Sequence, residues 1–132
     1  VTLLDSSLSL APTAGAYDYR GRVAYDLGDL HGADRFWRLA VGLDPGLGTA
    51  WTGLGELALG AGDVVGAEGS LRLAAESGGG VRAWGSLARC LEALGRVDDA
   101  RNAYRQVVAR GHADDPRVAR ARLRLQALDE TR

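Results

Sequence analysis

The feature that most restricts what this chain can fold into is an aromatic residue that returns at a nearly constant spacing. Tyr17 precedes Trp51 by 34 residues, and Trp84 follows it by 33. The same sequence of small residues trails each one. A Gly or Ala comes four positions on (Gly21, Gly55, Ala88), a glycine eleven on (Gly28, Gly62, Gly95) and an alanine sixteen on (Ala33, Ala67, Ala100). Self-similarity at this period marks a stack of helical units, each too small to bury its own apolar face.

The unit is legible between Trp51 and Gly80. Trp51, Leu54, Gly55 and Ala58 fall at i, i+3, i+4 and i+7, one face of a helix. Gly60, Gly62 and Asp63 interrupt it as a turn would. Val64, Ala67, Leu71 and Ala74 then resume the helical spacing. The same reading divides the chain into repeats over 14–47, 48–80 and 81–114. In the first, helices are expected near 14–27 and 30–43, with a Leu27-Gly28-Asp29 turn and Pro45 as the stop. The second closes on Ser77-Gly78-Gly79-Gly80, a permissive loop; neither a strand nor a G-x-x-x-x-G-K-[ST] run accompanies it to suggest phosphate binding. In the third, Cys90 takes the place of Val23 and Leu57 and is expected to be a buried, inert core thiol.

Both ends differ from the repeats. Residues 115–132 read as a capping helix, with Val118, Ala121, Leu125 and Leu128 on one stripe, Asp115 as N-cap and Pro116 in the first turn. Residues 1–13, with Leu3, Leu4, Leu8 and Leu10, read as the second helix of a preceding half repeat that docks on the first full repeat. Arg20 stands where the other repeats have Leu54 and Leu87, so it is expected to snorkel at the open end or to meet a missing upstream helix. Gly42, Gly53, Gly66, Gly69 and Gly85 all lie inside expected helices. At about 1 kcal/mol each against Ala, they predict an array of modest stability.

These positions resemble the tetratricopeptide repeat. The resemblance rests on Tyr17, Gly21, Ala33, Trp37, Ala40 and Pro45, then Trp51, Leu54, Gly55, Ala67, Leu71 and Ala74, then Trp84, Leu87, Ala88, Ala100 and Tyr104. It departs from the family pattern at Arg20, Ala24, Ala58, Gly79 and His112. The resemblance implies an all-α fold: a right-handed superhelical array of antiparallel helix pairs, an α-solenoid with a C-terminal capping helix. It also implies a concave groove, lined by the first helix of each repeat, that takes a peptide or helix of a partner protein. On this chain the groove positions are Asp18, Arg22, Tyr25, Thr52, Glu56, Leu59, Arg82 and Arg89, with Gly85 and Glu92 beside them. Members that clamp a peptide carboxylate do so with Lys, Asn and Arg. Here only Arg82 fits that set, with Asp18, Gly53 and Ser86 in the other places, so the clamp is absent.

A second candidate surface is basic. Residues 80–132 hold 11 Arg against 7 acids, whereas 1–79 hold 5 against 10. Arg117, Arg120 and Arg124 share one face of the cap, with Arg122 nearby, and could meet an acidic partner. Nucleic acid is disfavoured, because the whole chain carries −1 and no aromatic is interleaved for base stacking. All 16 basic residues are Arg, as a GC-rich, bacterial coding sequence would give. The chain starts at Val1 and reads as a fragment or processed product, so a missing signal peptide is uninformative. No apolar run reaches the length of a membrane span. The single cysteine rules out an internal disulfide framework and favours a reducing, cytoplasmic setting.

No catalytic constellation, cofactor motif or metal site is expected. His31 and His112 are far apart in register, and no second thiol joins Cys90. Asp98-Asp99 and Asp114-Asp115 fall at helix starts, where they are expected to cap. The expected function is therefore a non-enzymatic protein-interaction scaffold whose partner is a protein, a peptide or another copy of the chain. The rival is self-assembly or intramolecular docking through the open N-terminal end. A weaker rival is nucleic-acid or acidic-partner contact through the Arg-rich cap.

Overall fold

The computed structural model describes residues 12–130. Among them are seven helices: α1 (Ala14–Asp26), α2 (Leu30–Leu43), α3 (Gly48–Gly60), α4 (Val64–Glu76), α5 (Gly80–Ala93), α6 (Val97–Arg110) and α7 (Pro116–Glu130). Connections of three to five residues make sequence neighbours antiparallel. Each helix packs on the next, and α1 also touches α3, α3 touches α5, and α5 touches α7. The odd-numbered helices therefore lie side by side along one face of an all-α array, with α7 closing its end. The half-repeat helix expected from Leu3, Leu4, Leu8 and Leu10 lies outside the described residues.

The turns explain why the units repeat. Gly28, Gly62 and Gly95 adopt positive φ near +80°, which lets the chain end one helix on a left-handed residue. The next amide then reaches back, from Asp29 to the Ala24 carbonyl (2.8 Å), from Asp63 to Ala58 (2.9 Å) and from Arg96 to Leu91 (2.9 Å). In the first two turns that residue also caps the helix after it. Asp29 accepts from the Gly32 amide and Asp63 from the Gly66 amide, both at 2.9 Å. Arg96 cannot do this. Its guanidinium instead bridges Asp99 and Glu68, each at 2.7 Å, tying α6 to α4.

Asp98 and Asp99 are not the caps the sequence suggested. They sit in the first turn of α6, where they face the helix dipole and pair with Arg101 and Arg96. Asp115 does cap α7, accepting from the Arg117 amide at 2.9 Å. The Gly78-Gly79-Gly80 loop is a tight connection. Gly78 and Gly80 have φ of +82° and +71°. A Cβ on Gly79 would lie 2.6 Å from Ala83 Cβ and 2.7 Å from the Ala74 carbonyl oxygen.

Ala33, Ala67 and Ala100 are fully buried, as the repeat pattern requires where helices approach closely. Cys90 is buried too, its thiol donating to the Val64 carbonyl at 3.2 Å, and burial pushes its pKa up. Arg20 is exposed and lies over the Phe36 ring at 6.0 Å. One buried ion was not anticipated. Arg101 is 2% exposed, 2.6 Å from Asp98 and 3.1 Å from Asp129, and donates to the Leu128 carbonyl at 3.3 Å. It fastens the last turn of the cap to α6.

The helical glycines fall into two kinds. A Cβ on Gly53 would meet the Trp37 indole at 2.5 Å, whereas one on Gly69 or Gly42 would meet nothing within 4 Å. Gly69→Ala should therefore stabilise the fold by up to about 1 kcal/mol. Gly53→Ala should destabilise it by about 1–3 kcal/mol through overpacking. Urea unfolding followed by circular dichroism separates the two, and shifts of the same sign would contradict this packing.

Candidate functional site

The face formed by α1, α3, α5 and α7 is not uniformly open. At the α1 end, Asp18 accepts from the Trp37 indole N–H at 2.9 Å and from the Thr49 hydroxyl at 2.5 Å. The Arg22 guanidinium lies 5.5 Å from the Trp37 ring and 5.6 Å from the Tyr25 ring. Tyr25 itself packs on Trp37, with ring centroids 5.9 Å apart. These side chains are held by their neighbours rather than projecting freely. Towards the other end, a cleft of about 770 Å³ opens between α5 and α7. Its apolar lining includes Val107, Ala121 and Leu123. Its walls carry Glu56, Ser86 and Glu92, and Arg82, Arg89, Arg117, Arg120 and Arg124.

The structure thus brings together residues that the sequence assigned to two surfaces. Glu56, Arg82 and Arg89 of the expected groove share one cleft with Arg117, Arg120 and Arg124 of the expected basic patch. Asp18, Arg22, Tyr25, Thr52 and Leu59 do not line it. Thr52 is a correction: it is 2% exposed, its hydroxyl donates to the Gly48 carbonyl at 2.8 Å, and Gly79 closes over it. It offers nothing to a partner. Leu59 is half-buried against the core. Sequence reasoning missed Tyr104, Val107 and Leu123 as cleft residues. Leu123 carried one signal: it is an apolar residue off the cap's buried stripe, with Arg122 and Arg124 on either side in sequence.

The model of the tetratricopeptide repeat matches residues 58–125, more than half of the chain. The chain belongs to the tetratricopeptide repeat family. No curated protein matches it. Among solved structures, this array is similar to the first TPR of Spaghetti (RPAP3) bound to an HSP90 peptide, SRMEEVD. The TM-score is 0.76 at 16% identity, covering 90% of this chain and 94% of that one. It is also similar to PcrH in complex with the chaperone binding region of PopD, with a TM-score of 0.76 at 23% identity over 87% and 90% of the two chains. A third similar structure is the Yersinia enterocolitica type III secretion chaperone SycD in complex with a peptide of the translocator YopD, with a TM-score of 0.76 at 19% identity over 87% and 91%. At such identities the likeness establishes the fold.

Two cross-helix ion pairs organise the cleft of this tetratricopeptide array. Glu56 on α3 takes a two-point bond from Arg82 on α5, with Nε to Oε2 at 2.9 Å, and accepts from the Ser86 hydroxyl at 3.1 Å. Glu92 on α5 likewise takes Arg124 on α7, with Nε to Oε1 at 3.0 Å, and accepts from the Tyr104 hydroxyl at 2.8 Å. Arg124 holds the Glu92 carboxyl below its ordinary 4.5; burial opposes this and the Tyr104 hydroxyl adds to it. Burial, reinforced by donation to Glu92, pushes the Tyr104 phenol up to about 12. Among the described residues no cluster of three or more His, Cys, Asp and Glu is placed to hold a metal.

The depressed Glu92 pKa makes the cap acid-sensitive. Its contribution to stability is complete above the unfolded glutamate value and is lost as pH falls through the lower folded value. Thermal melting should therefore show Tm falling below about pH 4.5. In Glu92→Gln that part of the decline should be missing, with a lower Tm already at neutral pH. Parallel pH profiles for the two proteins would dismiss the role given to this pair.

Proposed function

We propose that this protein is a non-enzymatic interaction module that binds a peptide or helix of a partner protein along the face of α1, α3, α5 and α7. The observation that carries this reading is the cleft at the α5–α7 end. It is open, and its lining joins the exposed Leu123, beside the buried Val107 and Ala121, to charged and hydroxyl groups. Specific recognition sites combine these two elements, area to desolvate and polar groups to fix orientation. Three solved arrays of the same fold are held with peptides or binding segments of other proteins, which supports the reading by analogy.

The test avoids Tyr25, because its ring packs on Trp37 and its loss would disturb the core. The immobilised chain and an Arg89→Ala/Leu123→Ser variant are each used to capture partners from native lysate, with mass spectrometry as the readout. A partner retained by the first and lost by the second supports the cleft as the working surface. Equal recovery by both would remove the cleft from the proposal.

A second reading, self-association through the α1 end, draws on a different observation. Among the described residues α1 packs only on α2 and α3, while Leu27 is 80% and Leu30 54% exposed. Apolar surface left open at an array's end favours stacking on another copy. Light scattering should then show concentration-dependent dimers that Leu27→Glu abolishes. A monomer at all concentrations would rule this reading out.

A further inference from the structure

The α5–α7 cleft is basic on a chain that is otherwise acidic. Five arginines face two glutamates there, an excess of three positive charges on a protein whose net charge is −1. Both glutamates are already engaged, Glu56 by Arg82 and Glu92 by Arg124. The remaining cations are Arg89, Arg117 and Arg120. Arg89 donates only to the Ser86 hydroxyl, at 3.2 Å, and Arg117 lies 3.6 Å from Asp115. Arg120 has no ion-pair partner among the described residues, and both Arg89 and Arg120 are exposed. Beside them Leu123 is 66% exposed.

We propose that this cleft binds an acidic peptide segment of a partner protein, its carboxylates on Arg89, Arg117 and Arg120 and an apolar side chain on Leu123. The proposal rests on the reading of the chain as a peptide-binding module and names the chemistry of its ligand. An anionic segment adds negative charge where cations outnumber anions and can meet exposed guanidinium forks in two-point geometry. The engaged pairs set the geometry. Arg82–Glu56 links α3 to α5 and Arg124–Glu92 links α5 to α7, so Arg89, Arg117 and Arg120 stand on a braced frame.

A peptide suits the cleft better than a nucleic acid. Single strands bind by stacking bases on exposed aromatic faces, and the aromatic in this cleft, Tyr104, is 5% exposed with its hydroxyl on Glu92. The exposed Leu123 asks for an apolar side chain rather than a phosphate backbone.

The test uses the full chain and fluorescence anisotropy. The probes are a short fluorescein-labelled peptide of Asp and Glu around one Leu, its Asn/Gln and Lys counterparts, and an oligothymidylate of equal charge. The acidic peptide should bind best and weaken as salt is raised. Arg117→Glu/Arg120→Glu should bind it about tenfold or more weakly. Arg105→Glu, outside the cleft, should leave binding unchanged, and circular dichroism checks that each variant is folded. Preference for the neutral or basic peptide overturns the acidic assignment while leaving the module reading standing. Preference for oligothymidylate, or an unaffected double variant, also overturns it. No binding of any peptide overturns the acidic assignment, and the lysate capture then decides the module reading by itself.

Discussion

The wedge of Trp37 between two glycines is the contact on which the first half of the array depends. Trp37 belongs to α2, yet its indole touches both helices in front of it. A Cβ on Gly21 of α1 would lie 2.6 Å from its Nε1, and one on Gly53 of α3 would lie 2.5 Å from its Cε2. Two helix backbones therefore press on one large ring, which is 1% exposed. Such close packing allows one arrangement of the three helices. The polar edge of the ring is satisfied in place, since Asp18 accepts its N–H and also takes the Thr49 hydroxyl of α3. One side chain thus fixes the step from the first helix pair to the second.

The same register position serves the second and third helix pairs with different chemistry. Leu71 replaces Trp37 in α4 and packs on Gly55, where a Cβ would come within 2.5 Å of its side chain. Tyr104 replaces it in α6. Its ring is buried in the C-terminal core, while its hydroxyl donates to Glu92. Glu92 in turn holds Arg124 of the cap. A position that begins as a packing wedge becomes, in the last pair, the inner end of a polar chain reaching the surface. This is how the cap is set at a defined distance from α5, with Arg101 fastening its far end.

The cleft results from that placement. Along the face, an acidic or polar group on one odd-numbered helix meets a donor on the next: Asp18 with Thr49, Glu56 with Arg82, Glu92 with Arg124. These links neutralise the face where they form. Arg89 and Arg120 line the cleft outside these links and are exposed, whereas the α1 end, with Arg22 laid over its aromatic rings, does not line it.

The sequence by itself determined the helices, their turns and the positions where small residues must lie. Those depend on contacts a few residues apart: helical periodicity, a left-handed glycine at each turn, an aspartate capping three residues on. The expected second helix 30–43 coincides with α2, and the expected cap over 115–132 contains α7, for this reason. Cys90 was legible as a core residue because its register matched apolar positions in the other repeats. Only the tertiary structure decided which surface residues share a site. Thr52 looked accessible on a helical wheel, but the loop at Gly79, 27 residues on, covers it. Arg89 and Arg120 belong to different helices, and nothing in either helix's periodicity says they face one space. Their meeting depends on how far each pair rotates against the last. That rotation is set by the volumes of Trp37, Leu71 and Tyr104 against the backbones they touch, which is a property of packing and not of any local run of residues.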